Sequence, residues 1–124
     1  MTIANLVADL KRRYDDPEEP FTSVEVDELT GRMGISRQQF FEAMAAEIAQ
    51  AFDAGDVAFQ SADEAINDLW SIALCNDEHW PPLLEEVYRA FDAGEYARGE
   101  NVDPINAYTR PAISEIARRL TNGS

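Results

Sequence analysis

Three times along this chain a Ser or Thr is followed three positions later by Glu or Gln, and an apolar series comes close behind. The pairs are Thr22 with Glu25, Ser36 with Gln39, and Ser61 with Glu64. Each has the spacing of a capping box, in which the hydroxyl takes a backbone N–H of the first helical turn and the acid or amide reaches back to the cap. Behind the second box come Phe40, Met44, Ile48 and Phe52; behind the third come Ile66, Leu69, Trp70 and Ala73. These intervals of three and four gather one apolar face of a helix. Ile3, Leu6, Val7, Leu10 and Tyr14 form the same pattern at the start of the chain. No run alternates apolar and polar residues as a half-buried strand does, so the class expected is all-α.

The stops are as regular as the starts. Gly55 and Gly94 each follow an apolar helical series, where a left-handed residue closes a helix, and the short helix opened by Thr22 should end near Gly34. Asp15-Asp-Pro-Glu-Glu-Pro20 combines two prolines with four like charges and reads as an exposed acidic loop. Pro81 and Pro82 suit the first turn of a helix carrying Leu84, Val87, Tyr88 and Phe91. Asp103-Pro104 starts a short helical turn, and Pro111 opens a last helix with Ile113, Ile116, Ala117 and Leu120. At 124 residues and 45% apolar content the chain can enclose one core. The expectation is a single domain over residues 1–124, a compact bundle of five to seven helices.

Two of the stops are spelled alike. Ala51-Phe-Asp-Ala-Gly55 returns as Ala90-Phe-Asp-Ala-Gly94, and over residues 41–69 against 80–108 nine of 29 positions are identical. Glu47 meets Glu86, Ala58 meets Ala97, and Ile66-Asn67 meets Ile105-Asn106. A duplicated helix–loop–helix unit accounts for this, each copy covering the face the other cannot hide alone. It predicts helices over 37–54 and 82–93, both glycines left-handed, and Phe52 and Phe91 in one core.

Charge narrows the choice of partner. The chain has 24 acids against 10 Lys and Arg, a formal net charge of −14. Between Arg37 and Arg89 there is no Lys or Arg, yet the interval holds eleven acids: Glu42, Glu47, Asp53, Asp56, Asp63, Glu64, Asp68, Asp77, Glu78, Glu85 and Glu86. Such a stretch repels nucleic acid and anionic lipid and attracts basic surfaces. No stretch of 18 or more apolar residues occurs, so no membrane span is expected. Met1-Thr-Ile-Ala-Asn-Leu lacks the layout of a secretory signal, and one cysteine, Cys75, excludes an internal disulfide framework. A bacterial-type cytoplasm is the expected compartment.

Candidate chemistry is thin. Leu29-Thr-Gly-Arg-Met-Gly-Ile-Ser-Arg-Gln-Gln-Phe40 resembles the turn of a helix-turn-helix DNA reader, with Gly34 between Met33 and Ile35 and with Arg37, Gln38 and Gln39 behind the Ser36 cap. The resemblance covers residues 25–44. Its second helix departs from a reader's needs, since Phe41 stands where a polar side chain is usual and Glu42 and Glu47 add negative charge. Cys75 and His79 lie four apart, but two ligands make no structural zinc site. The acids of the repeated phrases, Asp53 and Asp56 with Asp92 and Glu95, could accept a cation or serve acid–base work. They lack a calcium-loop layout, because Ala58 falls where glycine is needed. The six glycines are scattered singly, so no phosphate-cradling loop exists.

The reading these features favour is non-catalytic binding of a basic protein by a small acidic inhibitor-, immunity- or antitoxin-like protein, without cofactor or metal. Trp80, Asp92, Glu95 and Tyr96 are the expected partner-binding residues, an acidic and aromatic group around the second repeated phrase, with Tyr108 another aromatic beside a loop. The rival readings are a DNA-binding regulator using residues 25–44, and an enzyme or metal-binding protein using Cys75 or the repeat carboxylates.

Overall fold

The computed structural model describes residues 3–10, 21–75, 82–94 and 103–122. Among them are six α-helices, a π-helical turn and no strand: α1 (Ile3–Ala8), α2 (Ser23–Met33), α3 (Arg37–Ala54), α4 (Phe59–Cys75), α5 (Pro82–Ala93), the π turn (Ile105–Thr109) and α6 (Arg110–Asn122). The chain is an all-α bundle. Helix α3 is its axis, touched by all five other helices, while α4 packs along α5 and the π turn wedges against α5 and α6.

The reason α3 is central lies in its composition. Phe40, Phe41, Met44, Ala45, Ile48, Ala49 and Phe52 are all buried, an apolar arc wide enough to serve several neighbours at once. Ser36 begins α3 with a complete capping box: its hydroxyl accepts the Gln39 N–H at 3.0 Å, and its own N–H donates to Gln39 Oε1 at 2.9 Å. Thr22 caps α2 by accepting the Glu25 N–H at 3.1 Å. The third expected box does not form. Helix α4 starts at Phe59, ahead of Ser61, which is buried within it. Phe59 packs its ring on Phe52 and Phe91, at centroid distances of 6.3 and 5.8 Å, and this packing draws the helix start back to that residue.

The repeated phrases end their helices at Ala54 and Ala93, as their spelling predicts, and Phe52 and Phe91 meet in one core with ring centroids 5.1 Å apart. Their glycines differ. Gly55 is left-handed, with φ of 83°, and its N–H turns back to the carbonyls of Ala51 and Phe52. Gly94 does not have the left-handed φ that the parallel predicts. It is needed for space: a β-carbon there would collide with the Thr109 hydroxyl and stand 3.2 Å from the Phe59 ring. Thr109 is fully buried and donates its hydroxyl to the Ala90 carbonyl at 2.7 Å, fastening the π turn to α5.

The limbs beyond the glycines also differ. Ile66 is fully buried within α4, whereas its sequence counterpart Ile105 is half-buried at the opening of the π turn. That turn and α6 form one continuous helical run, where the sequence suggests two pieces. Asp103 starts it, its carboxylate accepting the Ile105 N–H at 3.0 Å and the Asn106 side-chain amide at 2.7 Å. Pro111 explains the π geometry. It has no N–H for the Ala107 carbonyl and its ring crowds that oxygen, so the preceding turn widens, with the Arg110 N–H bonding to the Ile105 carbonyl.

Candidate functional site

The cation-free interval of the sequence becomes α3 beyond Arg37, the α3–α4 corner, α4 and the first turns of α5. Its carboxylates meet two kinds of neighbour. On α5, Glu85 pairs with Arg89 one turn on, at 2.9 Å, and Glu86 pairs with Arg119 of α6. Glu42 and Asp53 on α3 and Glu64 on α4 meet neutral donors instead. Glu42 accepts the Leu83 N–H at 3.4 Å and so sits at the positive end of α5. Asp53 accepts the Ser114 hydroxyl, and Glu64 accepts the Gln60 amide at 3.4 Å. Such bonds hold a carboxylate in place without cancelling its charge. Among the described residues no cation lies at ion-pair distance from Glu42, Glu47, Asp53, Asp56 or Glu64.

Two depressions on the bundle bear on binding. A groove of about 550 Å³ runs between α5 and the π turn with α6, floored by Ala90, Ala93 and Ile116 and edged by Tyr108, which is 39% exposed. Its rim charges include the Glu86–Arg119 pair, so the groove presents both signs. A smaller pocket of about 290 Å³ lies where α1 meets the end of α3 and the following corner. Val7, Ala8, Ala51 and Val57 wall it, and Glu47, Gln50 and Asp56 supply its polar groups.

Of the four residues expected to bind a partner, only Asp92 falls within the described residues, half-buried on α5. Trp80, Glu95 and Tyr96 lie outside them, as do His79, Tyr14, the acidic loop 15–20 and the side chain of Cys75. Trp70 is buried and stacks on Tyr88, with ring centroids 4.5 Å apart and planes inclined by 11°.

The helix-turn-helix resemblance takes the form of a packing corner. Gly34 is left-handed with φ of 68° between α2 and the Ser36 cap. Arg37 forms an ion pair with Asp27 of α2, reaches Ser23 Oγ at 3.5 Å, and lies 5.8 Å from the Phe41 ring centroid. Phe41, at a reader's position, is fully buried. Among the described residues no three His, Cys, Asp or Glu side chains are grouped to hold a metal ion, and no helix is long and apolar enough to cross a membrane.

Sequence reasoning found the acids but not the pocket. Val7, Glu47 and Val57 come from three segments, and nothing in the spacing of any one of them indicates that they converge. Compared with known proteins, the chain matches no protein family, no curated protein and no solved structure.

Proposed function

We propose that this chain is a non-catalytic binding protein that engages a basic protein partner in the cytoplasm, as small inhibitor, immunity and antitoxin-like proteins do. One observation carries the reading. Glu42, Glu47, Asp53, Asp56 and Glu64 have no cation at ion-pair distance among the described residues, whereas Glu85 and Glu86 of α5 do. Exposed ion pairs cost a fold little to make, and α5 makes them. An acid-bearing surface left without them keeps a field that steers and orients a basic protein. Asp53 and Asp56 are exposed at the corner, where that field meets solvent. Asp92 and the residues beyond Gly94 extend the same reading toward the second phrase.

The test is capture from the native cell at low salt, with the unchanged chain and a Glu47→Lys/Asp53→Lys/Asp56→Lys variant side by side. The expected result is one or a few basic proteins that the unchanged chain retains, that salt releases, and that the variant fails to hold. Identical retention by both chains, or retention insensitive to salt, contradicts the reading. Binding of duplex DNA that disappears on Arg37→Ala would instead favour the regulator.

A further inference from the structure

The pocket between α1 and the end of α3 is built unlike the rest of the acidic surface. Val7 and Val57 are buried and form its apolar floor, with Ala51 half-buried beside them and Ala8 exposed at the mouth. Glu47 and Asp56 stand on its wall, and among the described residues neither has a cation at ion-pair distance. At about 290 Å³ the space is at the lower edge of what drug-sized ligands occupy, and it suits one long side chain. It also lies at the C-terminal end of α3, where the helix dipole adds negative potential.

We propose that this pocket receives a lysine side chain of the partner, its aliphatic stem against Val7, Ala8, Ala51 and Val57 and its ammonium group beside Glu47 and Asp56. The assignment rests on the reading above and makes it specific, giving the basic partner a point of attachment. Lysine matches both parts of the pocket. Its four-carbon stem buries along apolar surface while its charged head stays at the polar rim. Arginine's flat fork is best used in two-bonded contact with one carboxylate or in stacking on an aromatic ring, and among the described residues no aromatic side chain lines this pocket.

The test uses the full chain and two alanine-rich hexapeptides. One carries a central lysine; the other carries 2,4-diaminobutyrate, which bears the same charge at slightly acid pH on a stem two methylenes shorter. Amide and methyl shifts of the protein are followed by NMR as each peptide is added. The lysine peptide is expected to give saturable shifts centred on Val7, Ala8, Ala51 and Val57. The shorter stem should weaken binding about tenfold, the value of two buried methylenes. Ala51→Leu, which fills the pocket, should abolish the local shifts, and Glu47→Gln with Asp56→Asn should weaken them about tenfold or more. Should Ala51→Leu disturb folding, the comparison of peptides on the unchanged chain still decides. Equal binding of both peptides, or shifts spread over α3 and α4 that ignore Ala51→Leu, would overturn the pocket and leave the acidic-surface reading standing. No shift at these residues would likewise overturn it, while the capture experiment judges the broader reading independently.

Discussion

Helices α3 and α5 end in the same five residues and use them differently. Both stop at the alanine before the glycine, place their phenylalanine in the shared core and return the glycine N–H to its carbonyl, at 3.1 and 3.0 Å. Gly55 closes α3 by taking a backbone conformation that other residues resist, whereas Gly94 closes α5 by leaving room for Thr109. The charges diverge as well: Glu85 and Glu86 of α5 are paired with arginines, while among the described residues Glu42, Glu47 and Asp53 of α3 have no arginine partner. A common sequence therefore fixes where each helix stops and which side chain anchors it. What the glycine and the acids do depends on what is packed opposite. Opposite Gly94 and the glutamates of α5 stand the π turn and the arginines of α5 and α6; opposite the acids of α3 stand neutral donors, the Leu83 N–H of α5 and the Ser114 hydroxyl of α6.

The largest expected effects test the likeness. Phe52→Ala and Phe91→Ala should each destabilise the fold by about 3–5 kcal/mol in denaturant unfolding, since both rings are fully enclosed. A loss below about 1 kcal/mol at either site would break the equivalence of the two anchors.

The glycines test the difference. Gly94→Ala should cost about 1–3 kcal/mol through overpacking against Thr109, and adding Thr109→Ala should recover part of it by removing the colliding hydroxyl. Gly55→Ala should cost about 1–2 kcal/mol from its left-handed backbone, with no relief from any change at Thr109. Asparagine sharpens the contrast, because it tolerates the left-handed region yet fits no crowded site: Gly55→Asn should be the milder change and Gly94→Asn the more severe. The same ranking at both glycines in thermal melts would remove the distinction.

Smaller effects follow for caps and charges. Ser36→Ala should cost about 1 kcal/mol by opening the box at the start of α3. Arg89→Ala, which breaks an exposed pair one helical turn apart, should cost only about 0.3–0.5 kcal/mol. Glu47→Gln, with no ion pair to lose among the described residues, should leave the unfolding midpoint close to that of the unchanged chain.

These contrasts also mark what could be read in the residues alone. The ends of α3 and α5, the Ser36 box and the Phe52–Phe91 contact were legible because capping and periodicity are local, set by residues within one or two turns. The start of α4 was not, since Phe59 joins the helix to pack on two rings from other helices. Gly94 misled for a similar reason: its neighbour Thr109 comes from a π turn imposed by Pro111. The acidic interval was plain in the sequence. Which of its members carry arginine partners was partly legible, because Glu85 and Arg89 are one turn apart while Glu86 and Arg119 meet only through the packing of α6. The lysine pocket was invisible, its walls drawn from α1, α3 and the corner.

The central claim is that the acids around the end of α3 serve binding, while the ion-paired Glu85 and Glu86 of α5 serve the fold. It is tested most directly by calorimetric titration of an oligolysine peptide, at low and at high salt, into three chains: the unchanged protein, Glu47→Lys/Asp56→Lys and Glu85→Lys/Glu86→Lys. Each variant makes two acid-to-lysine changes of +2, so both move from −14 to −10 and share one net charge. The expected result is salt-sensitive binding that weakens about tenfold or more in the first variant and changes far less in the second. Equal weakening in both would show that only net charge matters, and would contradict the division of labour between α3 and α5.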